Sequence, residues 1–259
     1  MGNKSKQEGI EDLSLALLYL TRFLDGRGSS FNEMAWKNYS FEAIEQLDKQ
    51  DLIVDPQGRY RSKYAYITEK GRQKARKLLA EMGIETGDLY DRFDFREIHQ
   101  DEAKQAAEIE KVCFPPNEAC SREHMIERAK VAPELFLVAA DKSNGRIAGF
   151  LNGIATNETK FRDAFFTDAS LHDPQGKTVM LLGLDVLPEY RNQGLARELV
   201  HHYCRKEQEN KRIRLILTCL AGKVKMYKRL GFDDLGESES VWGGEKWHEM
   251  AIRLNYEWD

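Results

Sequence analysis

The chain has 259 residues with 41% hydrophobic and 10% aromatic content, enough for one large core or two small ones and too apolar for a disordered chain. Charge is mixed and the net is only −4, so the whole-chain balance points neither to nucleic acid nor to a membrane surface. Four cysteines without a C-x-x-C pair argue against a zinc site or a disulfide framework, and the polar start and lack of a long apolar run argue against a leader or a membrane span. A soluble, cytoplasmic protein is expected.

Residues 1–9 read as a disordered tail. From Ile10 the spacing of Leu13, Leu17, Leu20 and Leu24, with Leu15 and Leu18 beside it, predicts a well-buried helix. Residues 25–30 are a glycine-serine loop, and Phe31 to Lys37 read as a short helix. Ser40 is placed to cap a helix from Phe41 to Gln50, with Phe41, Ile44 and Leu47 facing inward. Asp51 to Val54 reads as a strand, Asp55-Pro-Gln-Gly58 as a turn and Arg59 to Thr68 as the returning strand. Glu69 to Met82 is a basic helix.

The order helix, helix, helix, hairpin, helix over residues 10–82 is that of a winged helix-turn-helix, and Ala43 to Lys70 resembles small winged-helix domains. Charge speaks against DNA: the helix that would enter the groove carries Glu42, Glu45 and Asp48 against Lys49 alone. Groove binding is driven largely by Lys and Arg displacing counterions from phosphates. This domain is therefore expected to serve dimerisation or partner docking, with a homodimer in view. Residues 83–92 are the linker to a second domain, 93–259.

In that domain Phe93 to Ile98 should be the first strand. Asp101 to Val112 should be a helix, with Ala103, Ala106, Ala107, Ile109 and Val112 on or near its inner face. Phe114-Pro115-Pro116 stops it, and the loop runs to Cys120. Ser121 caps a helix to Lys130. Leu135 to Ala140 and Ile147 to Ile154 are apolar strands, and residues 157–176 form a long excursion. Val179 to Val186 has the bulk of a buried strand, which Pro188 ends. Residues 191–196 form a polar turn with small residues, and from Leu195 the spacing becomes helical. A strand thus runs through a glycine turn into a helix N-terminus, where unpaired N–H groups and the helix dipole suit a phosphate. Strand Ile213 to Cys219, a helix from Val224 to Leu230 and a terminal hairpin complete the chain.

Arg191-Asn192-Gln193-Gly194-Leu195-Ala196 resembles the Arg/Gln-x-x-Gly-x-Gly/Ala signature of the GNAT acetyltransferase superfamily, and Tyr227-Lys-Arg-Leu-Gly-Phe232 resembles its later Tyr-x-x-x-Gly-Phe element. Cys113-Phe-Pro-Pro-Asn-Glu-Ala-Cys-Ser121, Ala132-Pro-Glu-Leu-Phe136 and Ser238 to Met250 resemble the arylalkylamine N-acetyltransferase branch. Together they cover roughly residues 93–255. The resemblance implies an α/β (α+β) fold: a GNAT mixed sheet with flanking helices, preceded here by the winged helix-turn-helix-like domain. It implies acetyl-CoA as cosubstrate, with no metal, and direct attack by a small arylalkyl- or polyamine in a ternary complex.

By that resemblance the backbone of Leu184, Asp185 and Val186 pairs with the pantetheine arm. The turn of Arg191, Asn192, Gln193, Gly194, Leu195, Ala196 and Arg197 takes the pyrophosphate. Gly183 suits a bulge that opens a slot for the cofactor. Tyr227 stands where the family's thiol-protonating tyrosine stands; the reference pKa of a phenol, roughly 10, is near that of an alkyl thiol. The vertebrate arylalkylamine enzymes carry two histidines on the central strand, where this chain has Met180 and Leu182. Glu118 is the candidate base, directly or through water, with Asp185 next and His248 after it; His201 and His202 are read as surface. Phe114, Pro115, Phe165, Phe166 and Trp242 either wall an apolar amine pocket or plug the core. Two other functions fit the same residues: a DNA- or partner-binding regulator that senses acetyl-CoA, and a protein-lysine acetyltransferase.

Overall fold

The computed structural model describes residues 4–24, 31–56 and 63–254, and these fall into two compact units that meet in sequence at Asp91 and Arg92. In the first, α1 (Lys6–Leu20) is followed by β1 (Phe23–Leu24), β2 (Glu33–Trp36), α2 (Phe41–Lys49), β3 (Ile53–Val54), β4 (Tyr64–Ile67) and α3 (Glu69–Glu81). A one-turn helix, α4 (Leu89–Arg92), leads into the second unit. The four strands form an antiparallel sheet in the order β1-β2-β4-β3. Its core is Leu15, Leu18, Tyr19, Leu47, Leu52, Ile53 and Leu79.

Several expectations for this unit are corrected. The tail read into residues 1–9 ends by Ser5, whose hydroxyl accepts from Glu8 N while the Glu8 carboxylate accepts from Ser5 N, a capping box that starts α1 at Lys6. Leu13, Leu17 and Leu20 face solvent, and Leu15, Leu18 and Tyr19 face the core. From Leu13 to Leu20 α1 is apolar nearly all round, so spacing alone offers two stripes; on the buried one the Tyr19 hydroxyl donates to Asp88 Oδ2 at 2.7 Å. The helix read into Phe31 to Lys37 is strand β2, held by Met34↔Tyr66 and Trp36↔Tyr64 pairing on β4 and by ring contact between Trp36 and Tyr64 at 4.4 Å. Phe41 is 80% exposed, and Ser40 makes no capping bond through its side chain. Residues 83–91, expected to be plain linker, carry structure: Asp88 also accepts from Arg22, and the Arg76 guanidinium lies 3.8 Å from the Tyr90 ring centre. The loop at 25–30 and the basic residues Arg59 and Arg61 lie outside the described residues.

In the second unit β5 (Phe93–Glu97) precedes α5 (Ala103–Cys113) and α6 (Arg122–Val131), then β6 (Phe136–Asp141), β7 (Ile147–Thr156), the short α7 (Ala164–Thr167) and β8 (Thr178–Val186). α8 (Leu195–Glu209), β9 (Arg214–Leu220), α9 (Val224–Arg229), β10 (Asp233–Glu237) and β11 (Trp247–Arg253) follow. The seven strands form one mixed sheet, β10-β11-β9-β8-β7-β6-β5, in which β8 and β9 are parallel and the other neighbours antiparallel. β6 and β7 are buried along their whole length, as strands covered on both faces must be.

α5 corrects the sequence reading in a way that reaches the site. Ala103, Ala106 and Ala107 are buried as expected, but Val112 is 58% exposed and Glu110 is 3% exposed. Positions 103, 106, 107 and 110 share one helical stripe, which carries a carboxylate inward. His201 and His202, read as surface, are buried too; α8 is covered on most sides, and His202 stacks on Phe95 at 5.8 Å. Among the described residues no helix is long and apolar enough to cross a membrane.

Candidate active site

The centre of the site is a gap in the sheet. β8 pairs with β9 only over Thr178 to Met180, opposite Arg214 to Ile216. Beyond Met180 the two parallel strands part, leaving the β9-facing edge of Leu181 to Val186 free of sheet partners. The cause lies across β8, where the β7 register shifts between Asn152↔Gly183 and Gly153↔Leu181, so that Leu182 is the extra residue of a bulge. Into the gap open a cleft of about 780 Å³ and a smaller adjoining cavity of about 50 Å³.

One end of the cleft is the turn before α8. Asn192 and Gly194 take left-handed backbone (φ 61° and 85°), and Gly194 is the N-cap of α8 without any side chain capping it. Successive amides in such a turn, followed by uncapped helix N–H groups, form an anion-binding concavity. Arg191, Asn192, Gly194, Leu195, Ala196 and Arg197 line the cleft, as do Leu184 and Val186. Two residues of the expected set are engaged otherwise. Gln193 does not line the cleft; its amide donates to Glu189 O at 3.0 Å and its side-chain oxygen accepts from Arg92 at 2.9 Å. Asp185 is 0% exposed and does not line the cleft; its carboxylate lies beside Glu110 and Asn152 around Gly183. The Arg191 guanidinium donates to Val186 O at 2.9 Å, which ties the turn to the strand end. Lys223 and Arg229, which the sequence reading did not single out, add two more cations to the cleft.

The other end is the small cavity, lined by Phe114, Glu118, Phe166, Trp242, Trp247 and Tyr227 among others. Its aromatic wall is tied together: Trp242 Nε1 donates to Glu118 O at 3.0 Å, Trp247 Nε1 to Trp242 O at 2.9 Å, and Asn117 Nδ2 to Gly243 O at 3.0 Å. Phe166 lies 4.9 Å from Trp242, ring centre to ring centre. Pro115 lines the larger cleft. Phe165, grouped with these from sequence, is in the core instead, packed edge-on to Phe161 at 5.7 Å. Of two adjacent aromatics on a one-turn helix only one can face the cavity.

Tyr227 borders both spaces. Part of its ring stays open, but its hydroxyl end is enclosed, and desolvation, helped by Cys219 and Asp185, raises its pKa well above the ordinary phenol value. It stays protonated at any ordinary pH. Glu118 also borders both spaces; desolvation and Glu245 raise its carboxyl, opposed by Lys223. Burial pushes the thiols of Cys113 and Cys219, both in the cleft, up to about 11. His248 faces Asp234, with Nδ1 at 3.2 Å from Oδ1, and lines neither space.

The profile of the Acetyltransferase (GNAT) family matches residues 98–232, just over half of the chain, and the chain belongs to that family. Residues 6–85 match a domain of unknown function (DUF6429). Among solved structures, the loading GNATL domain of CurA from Lyngbya majuscula aligns with a TM-score of 0.54 at 13% identity, over 62% of this chain and 98% of that one. The GphF GNAT-like decarboxylase in complex with isobutyryl-CoA aligns with a TM-score of 0.53 at 17% identity, over 62% of this chain and 100% of that one. At these identities the likeness is one of fold. No curated protein matches the sequence.

Proposed function

We propose that this member of the GNAT acetyltransferase family transfers the acetyl group of acetyl-CoA to the nitrogen of a small arylalkylamine, by direct attack in a ternary complex. The observation that carries the reading is the parting of β8 from β9, which joins an uncapped helix N-terminus at one end to an aromatic-walled cavity at the other. The pyrophosphate suits the amides of Asn192 to Ala196, with Arg197, Lys223 and Arg229 nearby. The pantetheine arm suits the unpaired edge of Leu184 to Val186, which offers backbone donors and acceptors to its amides. The thioester would then lie beside Tyr227.

The acceptor class is inferred from the walls. Phe114, Phe166 and Trp242 offer ring faces, and Glu118 offers one carboxylate to an ammonium group. The amine nitrogen attacks the thioester carbonyl carbon, the C–N bond forms and the C–S bond breaks. Tyr227 protonates the departing sulfur. The first unit is read as a self-association module, which its solvent-facing Leu13, Leu17 and Leu20 support; sedimentation of wild type against Leu17→Glu tests this, and a wild-type monomer would remove it.

The function is tested by measuring coenzyme A release with tryptamine, phenethylamine, spermidine, an aminoglycoside and a lysine peptide. Turnover is expected with the two arylalkylamines. Turnover confined to the peptide would move the assignment to a protein acetyltransferase, and none at all, with acetyl-CoA bound, to a sensor.

A further inference from the structure

Behind the cavity lies a polar cluster that the steps above leave unused. Glu110 reaches inward from α5, Asp185 from β8 and Asn152 from β7, and all three are buried. Glu110 Oε1 accepts from Cys120 N at 3.0 Å. Glu110 Oε2, both Asp185 oxygens and Asn152 Nδ2 make no well-aligned hydrogen bond, although the Asp185 carboxyl lies close to the Glu110 carboxyl and the Cys113 thiol. A Cβ at position 183 would stand 3.1 Å from Asp185 Oδ2, 3.2 Å from Glu110 Oε2 and 3.3 Å from Asn152 Nδ2. Three buried polar atoms therefore crowd around Gly183 at the bulge, closer than a Cβ would comfortably allow. Glu110 and Gly183 both line the small cavity that Tyr227 and Glu118 border.

Ionised carboxylates are acceptors only, so two that face each other in a dry site cannot both stay charged. A proton kept between them makes one the donor the other lacks. Desolvation raises Glu110 against the pull of Cys120 N, Arg128 and Asp185, and desolvation together with the Glu110 charge raises Asp185 well above its ordinary value. The surrounding groups agree with a single remaining negative charge. From α6, Arg128 supplies one buried cation, donating to Phe166 O at 2.6 Å and Asn152 Oδ1 at 3.5 Å. The Cys113 and Cys120 thiols are pushed up to about 11 and stay neutral, the Tyr227 phenol stays protonated, and Arg191 acts on Cys113 from the end of β8. Glu118 differs: it is half-buried and opposed by Lys223.

We propose that Glu110 and Asp185, with Asn152, are the proton acceptor of the reaction, reached from the acceptor amine through Glu110, which lines the small cavity. The inference rests on the acetyl-transfer reading. The cavity of about 50 Å³ has room for a water between the amine and Glu110. The ammonium passes one proton to the water, and the water passes one to the pair, which becomes neutral beside Arg128. The freed lone pair attacks the thioester. Tyr227 gives its proton to the leaving sulfur and regains one from the nitrogen as the amide forms. The pair's proton leaves to solvent after product release. Glu118 orients the ammonium.

Two readouts on the full chain test this. Infrared difference spectra in D₂O between neutral and alkaline pH should carry the carbonyl band of a protonated carboxyl, and Glu110→Gln and Asp185→Asn should each remove it. With phenethylamine, Glu110→Gln should lower kcat about 100-fold and lose the acid limb of its pH profile, the scale of a lost general base. The Kd for acetyl-CoA should not change, and Glu110→Asp should recover part of the rate. For an arylamine that is neutral at the assay pH the loss should shrink to less than about 10-fold, because no proton need be removed before attack. Glu118→Gln should act mainly on KM. A wild type without the band, or an equal loss with charged and neutral amines, overturns the pair while leaving acetyl transfer standing. A wild type that binds acetyl-CoA and turns over no amine overturns the acetyl-transfer reading and this role with it.

Discussion

Tyr227→Phe is the substitution whose effect follows most directly from the geometry, because it removes one hydroxyl and keeps the ring that packs edge-on against Phe232 at 5.5 Å. Its size can be read from a thiol already in the same cleft. Cys219 is raised from 9.0 to about 11 by burial, and a coenzyme A thiolate formed there meets similar surroundings. Expelling a thiolate that holds its proton about two pKa units more tightly, without an acid to supply that proton, costs about 3 kcal/mol, or about 100-fold in rate. Tyr227→Phe should therefore lower kcat about 100-fold, with the Kd for acetyl-CoA within about twofold of wild type. Stopped-time coenzyme A release and calorimetric binding read the two quantities. The sign with pH is also fixed. A phenol raised above its ordinary value keeps its proton until pH exceeds that raised value, so the wild type should lose no activity through Tyr227 as pH rises to about 9. Turnover of the variant within about threefold of wild type would refute the argument, as would an alkaline limb below pH 9 that the substitution abolishes.

Gly194→Glu should abolish acetyl-CoA binding by calorimetry, since it places a carboxylate at a φ of 85° in the anion-binding turn; normal binding would mean that the phosphates lie elsewhere. Trp242→Ala should raise KM for phenethylamine about tenfold, roughly the worth of one aromatic contact, and leave the Kd for acetyl-CoA alone; an unchanged KM would remove the aromatic wall from the amine site. Gly71→Ala should destabilise the first unit by about 3 kcal/mol or more, since a Cβ would stand 1.8 Å from Leu52 O; a thermal melt of that unit unchanged from wild type would contradict the packing of α3 on the Leu52 backbone.

The second unit was largely readable because its signals agree across levels. The apolar run ending at Pro188, the glycine turn and the helical spacing from Leu195 all describe β8, the anion turn and α8. The capping Ser121, whose hydroxyl accepts from His124 N at 3.2 Å, and the stop at Phe114-Pro115 were equally local. What was hidden is long-range. Glu110 continues the stripe of Ala103, Ala106 and Ala107, but a charged residue on a helix is ordinarily read as solvent-facing, and its partner Asp185 is 75 residues away in sequence. The first unit was harder because tertiary pairing overrides propensity: Glu33 to Trp36 becomes a strand only because Tyr64 to Ile67 lies alongside.

The central claim is that the acetyl group moves from coenzyme A to the nitrogen of an arylalkylamine. Its most direct test is mass spectrometry of the products formed from acetyl-CoA and phenethylamine. The account predicts N-acetylphenethylamine and free coenzyme A in equal amounts, both lost in Gly194→Glu. Coenzyme A with free acetate, or with acetyl groups on protein lysines and none on the amine, would contradict it.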